Sequence, residues 1–217
     1  MNQQATYYPE VFNPVSIPDA RKIILTSEDD LTTDERWELE TPYLIELMEK
    51  NYNFHSKSVV LDFGCGIGRL SKPLLTKYPG MRIVGVDFAP NMRALGAYNC
   101  QNNDFCIIAP GMLDLFEETF DYVIGVWIFQ HLLYPKIDIE MIHKVMKPGA
   151  KLFAVNNHHR AIPTRENDWV NDGINIKNLL DETFPGTEPS FEKLDARIVS
   201  NLISRMSFCG VWTKNAE

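Results

Sequence analysis

Short apolar runs alternate along the chain with stretches whose apolar residues recur every three or four positions. The runs lie at 59–63 (VVLDF), 81–87 (MRIVGVD), 105–109 (FCIIA), 120–126 (FDYVIGV) and 151–156 (KLFAVN), each the length of a buried strand. Between them fall helical patterns: GRLSKPLLTKY at 68–78, a segment opened by Pro90, and another around Asp138–Met146. Strands and helices in this rhythm build right-handed βαβ units, so the pattern predicts an open, doubly wound α/β sheet that is mostly parallel.

The ends of the chain read differently. Pro9, Pro14 and Pro18 are spaced through a polar N-terminal stretch, which predicts an extended arm with one short helix. Thr32 and Glu35 have capping-box spacing ahead of Trp37, and Thr41-Pro42 reads as the N-cap and first turn of a second helix. Two short helices at an angle are therefore predicted, the second burying Leu44, Leu47 and Met48. After Asn156 come a polar loop (NHHRAIPTRENDW), a helix near Ile176–Thr183 and a second loop (PGTEPS). The tail alternates from Asp195 to Thr213 with a turn near Ser204–Ser207, which predicts an antiparallel pair closing a seven-stranded sheet. The chain thus reads as one domain: arm and lid helices at 1–55, core at 56–156, insertion and closing strands at 157–217.

Composition narrows the function. With 217 residues, 45% apolar and 23% charged, the chain excludes disorder and fibre. A formal charge of −8 argues against a sequence-independent grip on nucleic acid or anionic lipid and favours a small or neutral substrate. Cys65, Cys100, Cys106 and Cys209 form no C-x-x-C pair, so neither a zinc knuckle nor a disulfide framework is predicted. The first residues lack the pattern of an export signal, and no apolar run approaches the roughly 20 residues that span a bilayer. A cytoplasmic protein with reduced thiols and no membrane segment is expected. His158 and His159 are adjacent on an extended segment, where side chains point opposite ways, so no metal site is predicted. Their loop, with Arg160 and Arg165, either touches the substrate or is solvated.

The most informative stretch is Val59-Val60-Leu61-Asp62-Phe63-Gly64-Cys65-Gly66-Ile67-Gly68-Arg69-Leu70, a strand running through a glycine turn into a helix. Ligands of open parallel sheets bind there, because glycines let the backbone approach closely and the helix start offers free N–H donors. Asp87, closing the next strand, is placed to accept both hydroxyls of a ribose. A dinucleotide fingerprint wants its third glycine where Arg69 stands and no acid just before the first, which disfavours a nicotinamide cofactor and an oxidoreductase.

The run Asp62-Phe63-Gly64-Cys65-Gly66-Ile67-Gly68-Arg69-Leu70 resembles motif I of the class I S-adenosylmethionine-dependent methyltransferases, and Val84-Gly85-Val86-Asp87-Phe88 resembles their acidic second-strand motif. Phe120 through Leu132 is similar to the family's fourth-strand block, and Val145 through Leu152 to its Lys-Pro-Gly turn into strand five. The resemblance runs in order over roughly residues 37–156 and implies a Rossmann-like sheet under an N-terminal helical lid. It also implies S-adenosyl-L-methionine as cofactor and S-adenosyl-L-homocysteine as product.

Carried onto this sequence, the resemblance sets Gly64, Cys65, Gly66 and Gly68 against the cofactor's amino-acid end, with Asp62 ordering the turn and Asp87 holding the ribose. Phe88 and Met92 cover the adenine and Met112 forms the opposite wall. Gly111 stands where the family often has an acid, so Asp114 or a backbone carbonyl receives the adenine amino group. Arg69 and Trp127 line the methionine region. His131 is the candidate base or orienting group, its other reading being a structural histidine at a helix start. Trp37 and Tyr43, with Tyr7 and Tyr8, either form an aromatic lid or pack the N-terminal helices on the core.

The implied reaction is in-line methyl transfer to an oxygen or nitrogen of a small-molecule acceptor, for which alignment and excluded water do most of the work. A protein methyltransferase and a non-catalytic cofactor-binding protein are the other readings. Gly125-Val126-Trp127-Ile128 replaces the D/N-P-P-Y/F sequence of enzymes that methylate nucleic acid bases, so no nucleic acid partner is expected. Nothing in the sequence speaks to oligomeric state.

Overall fold

The computed structural model describes residues 6–28, 31–166, 169–186 and 188–216. Helices α1 (Ile17–Ile24) and α2 (Thr33–Asn51) precede strand β1 (Val59–Phe63). Helix α3 (Ser71–Lys77), strand β2 (Arg82–Val86), helix α4 (Pro90–Cys100) and strands β3 (Phe105–Ile108) and β4 (Phe120–Val126) follow. Helix α5 (Pro135–Val145) leads into β5 (Met146–Asn157), and a small hairpin pairs β6 (Ile162–Pro163) with β7 (Trp169–Val170). Helix α6 (Ile176–Thr183), strand β8 (Ser190–Glu192), helices α7 (Ala196–Val199) and α8 (Asn201–Met206) and strand β9 (Ser207–Thr213) end the chain.

The sheet has seven strands in the order β3-β2-β1-β4-β5-β9-β8. Strands β1 to β5 are parallel, while β9 runs antiparallel to β5 and β8 antiparallel to β9. Strand β1 is buried along its whole length, as a central parallel strand covered on both faces must be. Its alternate residues serve two cores: Leu61 and Phe63 pack with Phe129 and Trp212 on one face, Val60 with Leu44 and Met48 on the other. No helix among the described residues is long and apolar enough to cross a membrane.

Two predicted features are corrected. The angled helix pair is one continuous helix, α2, with Pro42 inside it. Its capping box forms as predicted, Thr32 Oγ1 accepting from the Glu35 N–H and Glu35 returning to the Thr32 N–H at 2.9 Å. Pro42 lies on the exposed face beside exposed Glu38, so the carbonyl its missing N–H abandons is left to water, and burial of Leu44, Leu47 and Met48 carries the helix onward. The second correction concerns the tail. Residues 196–206 fold as α7 and α8, capped by the Asp195 carboxylate and the Ser200 hydroxyl, with Val199 buried. The antiparallel closure is made by β8 and β9 instead.

Candidate functional site

Strand order reverses between β1 and β4, whose carboxyl ends therefore part and leave a crevice. A cavity of about 710 Å³ opens there, within the size range of small-molecule sites. The glycine turn contributes Gly64 and Gly66, the end of β2 contributes Asp87 and Phe88, and the end of β4 contributes Val126, Trp127 and Ile128. The N-terminal arm closes the other side with Tyr7 and Phe12, and β7 adds Trp169. Backbone pairing fixes the arm, since the Tyr8 N–H donates to the Pro163 carbonyl at 3.0 Å and Tyr7 bridges Thr164.

The turn after β1 needs its glycines for packing as much as for approach. Gly64, Gly66 and Gly68 all have positive φ, at 74°, 54° and 77°. A Cβ on Gly64 would lie 2.4 Å from Ile128, one on Gly66 2.6 Å from Ile24 of α1, and one on Gly68 2.4 Å from Cys100 Sγ. The Asp87 carboxylate braces the turn, accepting from the Gly66 N–H at 3.0 Å and the Ala89 N–H at 2.9 Å. Burial raises its pKa and these two N–H groups oppose that. Asp62 is buried beneath and accepts from the Ser71 hydroxyl at 2.6 Å, tying the end of β1 to the start of α3. Burial pushes its pKa up to about 6.

A charged cluster adjoins the crevice beside Trp127. Glu40 of α2, fully buried, accepts from Arg36 Nη2 at 2.9 Å, Arg69 Nη2 at 3.2 Å and Trp127 Nε1 at 2.7 Å. Both guanidinium groups are buried, Arg36 reaching the cavity wall, and two of their N–H groups, Arg36 Nε and Arg69 Nη1, have no partner among the described residues. Asp62 also acts on Arg69, and the guanidinium donors left over beside Glu40 are complementary to an anionic ligand group. Trp127 is held here at φ 58°, a sparsely populated conformation for a bulky side chain, by its bond to Glu40 and by the Trp127 N–H to Val155 carbonyl bond of 2.8 Å.

The opposite side of the cavity is aromatic. His131 packs 5.2 Å from Phe12 and 5.1 Å from Trp169, between ring centroids. Its Nδ1 lies 3.0 Å from the Ala161 carbonyl, which only accepts, so Nδ1 carries the proton. Nε2 is then the acceptor for the Gln130 amide N–H at 3.0 Å, and Gln130 Oε1 in turn takes the Asn157 N–H at 2.9 Å. Burial lowers the His131 pKa to about 4, so the ring is neutral with both nitrogens engaged. This geometry suits an orienting group rather than a base. Asp138, in the first turn of α5, also lines the cavity, and burial pushes its pKa up to about 6.

Of the residues singled out in the sequence, the structure brings Gly64, Gly66, Asp87, Phe88, Met92, Trp127 and His131 to the cavity wall. Arg69 stands behind it through Glu40, while Cys65 is buried against Gly85 and Gly68 against Cys100. Gly111 and Met112 lie in the 3-10 turn Pro110–Phe116, of which Pro110 lines the cavity, and Met112 is exposed. Trp37, Tyr43, His158 and His159 are not among the lining residues. Trp37 packs under the Arg21 guanidinium at 4.5 Å, and the Tyr43 hydroxyl accepts from the Asp195 N–H at 2.9 Å. His158 packs on Phe208 and His159 bridges Asn175. The lid of α2 is thus core packing at Tyr43 and a helix contact at Trp37. Among the described residues, no three His, Cys, Asp or Glu side chains converge as metal ligands do.

Sequence reasoning missed Arg36, Glu40, Phe12, Asp138 and Trp169. Arg36 and Glu40 continue, at four-residue spacing, the row that Leu44 and Met48 occupy, so a charge pair on the buried face was a readable signal. The other three come from separate segments and carry no common pattern.

Residues 61–152 match the family model for a methyltransferase domain. The ubiquinone biosynthesis O-methyltransferase of Idiomarina loihiensis is 30% identical over 99 residues, 43% of this chain and 40% of that protein. The matched region therefore spans less than half of that relative's length. The PH0226 protein of Pyrococcus horikoshii shares the fold with a TM-score of 0.63 at 21% identity, over 89% of this chain and 96% of that one. The Haemonchus contortus phosphoethanolamine N-methyltransferase 2, solved with S-adenosyl-L-methionine, gives 0.60 at 14% identity, over 81% and 53%.

Proposed function

We propose that this chain, whose residues 61–152 match a methyltransferase-domain model, is a class I S-adenosylmethionine-dependent methyltransferase that binds S-adenosyl-L-methionine in the β1/β4 crevice and transfers its methyl group to a small-molecule oxygen or nitrogen. The carrying observation is that one cavity joins a strand-end carboxylate, Asp87, to Arg36 of a buried two-arginine cluster, whose Arg36 Nε and Arg69 Nη1 have no partner among the described residues. A ribose diol and an amino-acid carboxylate at the two ends of one ligand fit that pair. When bound, the cofactor supplies an electrophilic methyl carbon on a sulfonium.

The chain's own residues do the rest. Asp87 receives the ribose hydroxyls, while Phe88 and Met92 supply apolar surface for the adenine. Arg36, with Arg69 behind it, offers N–H donors to the carboxylate, and Glu40 keeps the two guanidinium groups from repelling each other. Tyr7 and Phe12 of the arm, with Trp169, exclude water from the acceptor side. His131, neutral and doubly bonded, holds that wall in place.

The test is incubation with methyl-labelled S-adenosyl-L-methionine and a panel of small amines, phenols and carboxylic acids, followed by mass spectrometry. Label in one acceptor class, with matching release of S-adenosyl-L-homocysteine, is the expected result. Cofactor binding without transfer to any acceptor, a purified peptide included, would instead favour the non-catalytic reading.

A further inference from the structure

The arm side of the cavity has a chemistry of its own. Phe12, His131 and Trp169 meet there at interplanar angles of 48°, 54° and 68°, so the rings turn edges and faces toward one another and wall a corner instead of stacking flat. His131 contributes a neutral ring, since its Nδ1 proton is committed to Ala161 and its Nε2 lone pair to Gln130. The charged side chain in this neighbourhood is an acid. Asp138 lines the same cavity, and no hydrogen bond or ion pair to its carboxylate occurs among the described residues. Its field reaches the Tyr7 hydroxyl, whose ionisation it opposes. Arg36, across the cavity, spends Nη1 and Nη2 on the Thr26 carbonyl and Glu40, and Lys22, which also lines the cavity, is exposed on α1.

A partly buried carboxylate without a partner among the described residues, in a cavity that aromatic rings also line, is complementary to a cation. Ring faces attract positive charge, and the carboxylate regains in an ammonium the partner that burial removed. An anionic acceptor would meet repulsion, and an alcohol would leave the charge uncompensated.

We infer that, given the methyltransferase reading, the acceptor is a small organic amine held between the Asp138 carboxylate and the rings of Phe12 and Trp169. The bound ammonium first gives one proton to the Asp138 carboxylate, and the nitrogen lone pair so freed forms one N–C bond as the sulfonium C–S bond breaks. Asp138 then releases that proton to water. Asp138 thus both selects the acceptor and receives its proton.

The test uses choline and its uncharged isostere 3,3-dimethylbutanol as probes, titrated into the full chain saturated with S-adenosyl-L-homocysteine and followed by tryptophan fluorescence. Choline is expected to bind at least tenfold tighter than the isostere. Asp138→Asn should abolish that preference, and Trp169→Ala should weaken choline while S-adenosyl-L-homocysteine binding, measured by calorimetry on the same preparations, stays within twofold. Equal affinity for the two probes, or an undiminished preference in Asp138→Asn, would overturn the amine inference while leaving the methyltransferase reading intact. Failure of the wild-type chain to bind S-adenosyl-L-homocysteine would instead remove the reading on which the inference rests.

Discussion

The two halves of the cavity are built by different means. The half proposed for the cofactor comes from strand ends and the turns that follow them: residues 62–70, 84–92 and 126–128 bring glycines, an acid and a tryptophan together because the sheet brings its strands together. The half proposed for the acceptor is assembled from side chains far apart in the chain, with the Tyr7 hydroxyl and the His131 carbonyl separated by 124 positions. Backbone topology dictates the first half. The second depends on where an arm and a hairpin dock, and one fold can carry many such dockings.

The largest expected effect lies where helix α2 enters the cofactor half. Glu40→Ala leaves two buried guanidinium groups without their shared carboxylate and should cost about 3–5 kcal/mol of stability in urea denaturation. A cost below about 1 kcal/mol, the value of an exposed pair, would mean that the cluster is solvated and that the cofactor half ends at the sheet.

A smaller effect separates packing from ligand approach in the glycine turn. Gly68→Ala places a Cβ against Cys100 Sγ at positive φ, so it should destabilise the fold by roughly 2–3 kcal/mol, and adding Cys100→Ala should restore the steric part. The left-handed backbone strain, about 1–2 kcal/mol, should persist in the double variant. If Cys100→Ala restores nothing, contact with Cys100 is not what Gly68 relieves.

Asp62 provides a pH signature for the same half. Its folded pKa is near 6 against a reference of 3.8, so the native chain holds the proton more tightly than the unfolded one. This group's contribution to stability is complete below about pH 3.8 and is lost as pH rises through about 6. Thermal unfolding across that window should decline less in Asp62→Asn than in the parent chain. An identical decline would assign the pH dependence elsewhere.

The smallest effect tests the outer boundary of the acceptor half. His159→Ala, at an exposed position outside the cavity, should shift stability by less than about 0.5 kcal/mol and leave the acceptor KM within twofold. A large rise in KM would extend the acceptor site into the loop that follows β5.

The same division explains what the sequence made legible. Short continuous apolar runs located all five parallel strands, and the glycine turn after the first located the crevice, because these features follow from burial and sheet topology. The continuous α2 escaped because Pro42 on an exposed face costs a helix less than its buried row returns. The tail escaped because alternating residues before Ser207 sit in short helices closed by side-chain caps, which the alternation disguised. On the acceptor side, Phe12, Asp138 and Trp169 share no spacing that a linear pattern could disclose. Their common environment exists only once the arm has paired with the 163–165 segment.

The central claim is that the β1/β4 crevice is an S-adenosyl-L-methionine site anchored by Asp87 and the Arg36–Glu40–Arg69 cluster. Calorimetric titration of the full chain with S-adenosyl-L-methionine, beside Asp87→Ala, tests it most directly. The account predicts micromolar binding by the parent chain and at least a hundredfold loss in a variant that still unfolds cooperatively. Absence of binding by the folded parent, or equal affinity in the variant, would contradict it.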